Sequence, residues 1–433
     1  MKKKNIFIKS TIILILGGII TKILGFIIRI VYTRIVGPTV IGLYSLVMPT
    51  YSLLITIATL ALPTTISKLI AENKHNNLKI ISTSTILIML INLIVVIFML
   101  LSAKFIAINL LHEKRCYLLI ISMTLTFPII SISSIIKGYY YGKQNMIPNV
   151  ISNVFEQVIR GLLIYIFVPV IMAKSEILAA CSLFLFSFLE ELASIFINLL
   201  FLPKHIKINK YNLRPDKQTL KNILNISLPT VSSRIIGNIG YFFEPIILKN
   251  LLLFSGYSNN YILVEYGAYN AYTITILTVP SFFITAISSA LIPEISKNYL
   301  EKNNKLLIKR LKEALFFSLA IGITYSILLM FFGHYILNAI YKTNLGLSYI
   351  KVLAPIFPLF YIESILMSFL QAINKASTTM RITIIGVIVK LIVLAITSLL
   401  HIGMFSLIIS EIINIFIVVS LNIYYVRKYT KKL

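Results

Sequence analysis

Six basic side chains, Lys22, Arg29, Arg34, Arg160, Arg234 and Lys390, stand inside long stretches that are otherwise apolar. A cation at bilayer depth costs about 2.5–3.5 kcal/mol on insertion scales, so it is kept only where it faces water or a partner. Several such cations, all of one sign and from different helices, suit an anion drawn into the membrane. Arginine gives a phosphate two parallel hydrogen bonds, whereas lysine meets it as a point charge. The six are therefore the candidate anion-binding residues. Two structural explanations compete. One is pairing with intramembrane carboxylates. Glu156 lies four residues before Arg160, a spacing suited to an ion pair, and Glu190, Glu191, Glu244, Glu363 and Glu411 are further partners to consider. The other is snorkelling to an interface, which suits Arg34 beside Gly37 and, less well, Arg29. Glu156, Glu244 and Glu363 are also candidates for binding a coupling cation, Na+ or H+.

Other chemistry is not written in the chain. His75, His112, His205, His334 and His401 are scattered, and no HExxH or CxxC spacing exists, so no metal site is expected. Cys116 and Cys181 sit in apolar surroundings and read as small hydrophobes. No Walker motif and no nucleophile beside a base can be found, which argues against ATP as the direct energy source, against an enzyme and against a resident cofactor.

The elements that carry these residues are membrane spans. Of the 433 residues 58% are hydrophobic and only 12% charged, against about 25% charged in a soluble domain. A spanning helix needs ~20 mostly apolar residues. Twelve stretches qualify: about 10–36, 42–67, 80–103, 116–136, 148–173, 176–202, 222–252, 264–293, 313–333, 347–370, 380–400 and 404–426. The first, seventh and eighth are long enough to tilt or bend, and Pro229, Pro245 and Pro280 are candidate kinks. The formal charge of +26 would suggest nucleic acid in a soluble protein. Here most Lys and Arg flank the spans, so no nucleic-acid partner is expected. They concentrate in alternate loops, which places both termini in the cytoplasm. The basic, then apolar, start resembles a signal peptide but lacks a small-residue cleavage site, and reads as a retained first helix.

The chain repeats itself. Thr21-Lys22-Ile23-Leu24-Gly25 lines up with Ser233-Arg234-Ile235-Ile236-Gly237, Leu62-Pro63 with Ile292-Pro293, and Phe127-Pro128 with Phe357-Pro358. Lys22 then corresponds to Arg234, and Arg160 to Lys390. Gly18, Lys22, Gly25 and Arg29 share one stripe of the first helix. The expected architecture is an all-α polytopic membrane protein of about 12 transmembrane helices in two six-helix lobes. Residues 1–203 form the N-lobe, 204–221 a cytoplasmic basic linker and 222–433 the C-lobe. Six helices per lobe give both copies the same orientation, with a pseudo-two-fold axis along the membrane normal, as in transporters.

The run Thr21-Lys22-Ile23-Leu24-Gly25-Phe26, Arg29, Thr33-Arg34-Ile35-Val36-Gly37, Gly42-Leu43-Tyr44, Pro49, Leu62-Pro63 and Ile66-Ser67-Lys68-Leu69-Ile70-Ala71-Glu72 resembles the polysaccharide-transport branch of the multidrug/oligosaccharidyl-lipid/polysaccharide exporter superfamily. Within it the chain is similar to sporulation proteins related to the lipid II flippases. The resemblance implies two lobes around a cavity in a bacterial cytoplasmic membrane. It implies a flippase that moves an undecaprenyl-diphosphate-linked saccharide from the inner to the outer leaflet by alternating access. Lipid II for spore-cortex peptidoglycan is the cargo it suggests. Lys22 and Arg34 match the positions of cavity-serving basic residues in the flippases; Arg29 fits the sporulation-protein pattern. Position 22 is usually Arg in these families, so Lys22 keeps the charge and loses the fork. The partners implied are a lipid-linked saccharide diphosphate, membrane lipids and cell-wall synthases. The alternatives are a cation-coupled multidrug exporter and a non-transporting scaffold for cell-wall synthesis.

Overall fold

A computed structural model describes residues 2–72, 76–202 and 215–431. His75, His205 and most of the expected 204–221 linker lie outside the described residues. Among the described residues the regular structure is helical throughout. The helices are α1 (Lys2–Thr59), α2 (Leu62–Glu72), α3 (Asn77–Phe105), α4 (Cys116–Thr124), α5 (Thr126–Gly142), α6 (Ile147–Lys174), α7 (Glu176–Leu200), α8 (Lys217–Phe254), α9 (Asn259–Ala268), α10 (Thr275–Leu277), α11 (Ser281–Leu300), α12 (Asn304–Tyr341), α13 (Leu347–Leu353), α14 (Phe357–Ala372), α15 (Ala376–Ser398) and α16 (Phe405–Thr430). Single π-helical stretches extend α3 and α9. Eight helical stretches are long and apolar enough to cross a membrane, or ten if each of two bent pairs is one span. The first of them, Leu16–Glu72, covers two of the expected spans. Helix α8 coincides with the seventh expected span, where Lys217, Lys221, Arg234, Glu244 and Lys249 dilute the apolar character. The expectation of an all-α membrane protein with about twelve spans is met on these terms.

The breaks have local causes. Within α1 two helices join at Gly37, whose φ is 74° and ψ −179°. Pro38 follows, and proline pushes the preceding residue out of the helical region. Glycine reaches positive φ without the clash of a Cβ. Helices α10 and α11 part just before Pro280 with a 55° bend, and α13 and α14 part before Phe357-Pro358 with a 57° bend. The equivalent pair Phe127-Pro128 opens α5 after α4, so the repeated Phe-Pro marks a break in both halves of the chain. Pro229 and Pro245, in contrast, are absorbed within continuous α8.

A break inside a membrane releases carbonyls that no water can reach, so side chains must satisfy them. Tyr325 donates to Ile276 O at 2.9 Å, Tyr361 donates to Leu277 O, and Ser326 donates to Ala354 O at 2.6 Å. Close backbone approach fixes other contacts. A Cβ on Gly142 would stand 2.7 Å from Ile70 Cβ and 3.0 Å from Ser67 O, which locks α5 against α2.

The chain packs as two compact units, Met1–Phe242 and Phe243–Leu433, with the boundary inside α8. A buried core of the first unit joins Leu62, Ile66, Ile70, Ile80, Ile88 and Ile135 to Ile223 and Val231 of α8. In the second unit α14 packs against α11, α12 and α16. Exposed Leu90, Leu93, Ile94, Phe98 and Leu101 on α3 form an apolar outer surface suited to lipid.

Candidate functional site

Helix α1 lies on α6 through small residues. A Cβ on Gly17 would meet Val150 at 2.3 Å, one on Gly25 would meet Gln157 Oε1 at 3.2 Å, and Gly161 faces Ile28 at 3.3 Å. Gly18 opens onto empty space. Lys22 and Arg29, seven residues apart, are exposed on the same stripe, about 10 Å apart along the axis. Arg34 is exposed further along, just before Gly37. On α8 Arg234 is exposed, with open space beside Gly237 one turn away. Asn238 holds this part of α8 to α1, donating to Thr56 Oγ1 at 2.8 Å and Ser52 O at 3.3 Å. Among the described residues neither Arg34 nor Arg234 has a carboxylate within salt-bridge distance.

Arg160 is treated differently. Its guanidinium bonds Glu190 on α7 and reaches Ser187 Oγ at 3.4 Å. Glu156, one turn before it, bonds Lys137 Nζ of α5 at 2.6 Å instead, and Glu191 stands 3.6 Å from the same ammonium. The i,i+4 bridge between Glu156 and Arg160 is thus replaced by bridges to neighbouring helices. Tyr44 lies within electrostatic reach of Arg29, Arg160 and Glu190, so Arg29 adjoins this network.

In the second unit Lys390 of α15 is clasped by Glu244 of α8 at 2.7 Å and Glu411 of α16 at 2.5 Å. The repeat equates Arg160 with Lys390, and both are bridged to a glutamate on the helix that follows. Glu363 lines a cavity of about 320 Å³ with Ser281, Thr285, Ser364, Ser368 and Gln371. Of the six candidate cations, then, four are exposed on α1 and α8 and two are bound by carboxylates. Spacing along the chain pointed to Glu156 for Arg160, whereas packing of α6 on α7 selects Glu190. Lys137 was missed altogether. It follows the apolar run of α5 and reads as a loop cation, yet it lies inside that helix. Both cysteines are buried thiols. Among the described residues no group of three or more His, Cys, Asp or Glu is placed to hold a metal.

A model of the polysaccharide biosynthesis protein family matches residues 7–299, and a MatE model matches residues 245–397. Stage V sporulation protein B of Bacillus subtilis (strain 168) is 35% identical over 401 residues, covering 89% of this chain and 77% of that protein. Lipid II flippase MurJ of the same organism is 26% identical over 436 residues, covering 89% and 76%. Among solved structures, an inward-facing multidrug resistance MATE family transporter of the MOP superfamily aligns with a TM-score of 0.76. It is 16% identical and 94% of each chain is covered, a likeness of fold. The chain belongs to the polysaccharide biosynthesis protein family, as a multi-pass membrane protein.

Proposed function

We propose that the protein is a flippase for an undecaprenyl-diphosphate-linked saccharide, carried from the inner to the outer leaflet of the cytoplasmic membrane by alternating access. Lipid II for spore-cortex peptidoglycan is the cargo, a choice supported by the likeness to stage V sporulation protein B and to a lipid II flippase. The observation that carries this reading is the row of exposed cations on otherwise apolar helices, Lys22, Arg29 and Arg34 on α1 with Arg234 on α8. A multidrug exporter for cationic drugs has no use for such an excess. A diphosphate does, because each phosphate loses its water only where positive charge replaces it. The two lobes, 1–203 and 222–433, are the bodies whose motion would alternate access.

An inside-negative potential drives a negative headgroup outward by about 2.3 kcal/mol per charge per 100 mV. Glu363 is the one of the three proposed coupling carboxylates with no lysine bridging it among the described residues, and it is where a Na+ or H+ would add to that force. The partners are lipids, with cell-wall synthases as the acceptors of the cargo.

The test is transport of fluorescent lipid II in proteoliposomes, read by leaflet accessibility. Lys22→Ala and Arg234→Ala should each lower the initial rate ~10-fold, the loss of about 1.4 kcal/mol of headgroup binding. Wild-type rates in both variants, inserted at normal levels, would overturn the assignment.

A further inference from the structure

Among the described residues, the charged network that joins α5, α6 and α7 contains one carboxylate more than its bridging cations can neutralise. Glu156, Glu190 and Glu191 face Lys137 and Arg160. Lys137 is shared between Glu156 and Glu191, which leaves Arg160 as the only bridge to Glu190 among the described residues. Glu190 is 3% exposed, and its second oxygen, Oε2, is buried without a hydrogen-bond partner among the described residues. The side chain of Arg160 is 32% exposed, so it is the member of the pair that can reach a ligand.

We propose that Glu190 is a proton-binding residue and that Arg160 exchanges it for the substrate diphosphate. The inference rests on the flippase reading and adds the coupling step to it. Without cargo, Glu190 is the anion that holds Arg160. When a phosphate oxygen takes the guanidinium, the Glu190 carboxylate is left buried beside Glu156 and Glu191, with Lys137 already divided between those two. Ser187 on its own helix and Tyr44 on α1 bring no charge to offset it, and Arg29, also near Tyr44, is itself turned to the ligand in this reading. An unpaired buried carboxylate is costly and is relieved by a proton. The step is balanced: one proton, given up by a buffer acid in the solvent, adds to a Glu190 oxygen, Arg160 stays charged, and the Glu190 bridge breaks as the phosphate bridge forms. Release of the cargo reverses it.

Calorimetric titration of the full-length purified protein with lipid II, whose two phosphates are both esterified and do not titrate near neutral pH, in two buffers of different ionisation enthalpy at neutral pH, counts the protons. The expected result is uptake of about one proton per diphosphate bound. Glu190→Gln should bind at least as tightly and take up almost none, while Lys22→Ala should bind ~10-fold more weakly with uptake intact. If the wild type binds with no proton uptake, or if Glu190→Gln retains it, the exchange is refuted and the flippase reading survives. If the wild type does not bind, both are refuted. Should Glu190→Gln fail to fold, the infrared difference spectrum of the wild type decides: lipid II must add a protonated-carboxyl band, and its absence overturns the proposal.

Discussion

Lys390 and Arg34 carry the same charge on apolar helices, and the fold gives them opposite surroundings. The ammonium of Lys390 meets two carboxylates, and its side chain is 17% exposed. Arg34 is exposed, with no bridging carboxylate among the described residues. Removing one member of a buried ion group strands the others, at a cost of about 3–5 kcal/mol, whereas exposed side chains away from such groups change stability by about 0.5 kcal/mol or less. Lys390→Met should therefore lower the unfolding midpoint of the protein in detergent strongly, because Glu244 and Glu411 then face each other without a cation. Arg34→Gln should leave that midpoint within error and lower lipid II transport. A Lys390→Met protein as stable as wild type would show that the clasp holds nothing together. The unusual residues were legible in the sequence, since a charge inside an apolar run stands out. Their partners were not. Arg160 bonds a glutamate 30 residues away rather than the one a turn before it, and only the packing of α6 on α7 decides that.

Helix α8 shows how an element begins and where its sequence is informative. Asp216 precedes the first helical residue, and its Oδ2 accepts from the amide of Thr219 at 3.1 Å and from its hydroxyl at 2.9 Å. These bonds satisfy one of the unpaired amides of the first turn. They also hold the Asp216 carboxyl below its ordinary range, the Thr219 hydroxyl most of all. The sign follows from that lowering. The cap contributes fully above the unfolded value of about 3.9 and fades as pH falls through the lower folded value. Hydrogen exchange at Thr219 and Leu220 should be faster in Asp216→Ala than in wild type at neutral pH, and the two should converge only in strong acid. Equal exchange at neutral pH would mean that the tertiary contacts of Ile223 and Val231 alone hold this turn. Breaks were partly legible. Phe127-Pro128 and Phe357-Pro358 mark real interruptions, but they read as positions within single spans, and Pro229 and Pro245 read as kinks inside a helix that runs on. A proline costs one donor anywhere; whether the chain bends there depends on whether neighbours such as Tyr325 and Tyr361 can donate to the carbonyls it loosens.

At the scale of the whole molecule, loop charge decides which side of the membrane each loop is expected to occupy. Hydropathy made the class of fold plain, and the internal repeat suggested its division, while the boundary between compact units falls inside α8, where Ile223 and Val231 pack with the first unit. Orientation rests on loop charge: the segment from Lys297 to Lys312 is strongly basic, and the turn holding Lys174 is not. Both native cysteines are buried, so the unaltered protein should stay dark to a membrane-impermeant maleimide and each new cysteine can be read by itself. Lys174 and Glu301 are exposed, at the end of α6 and just after α11. In right-side-out vesicles Lys174→Cys should label at once, and Glu301→Cys only after the membrane is permeabilised. The opposite pattern would place the termini outside. The pull of the potential on a diphosphate bound at Lys22 and Arg29 would be unchanged, since an inside-negative field drives a negative headgroup outward whichever way the protein faces; what would change is the leaflet that the basic loops border.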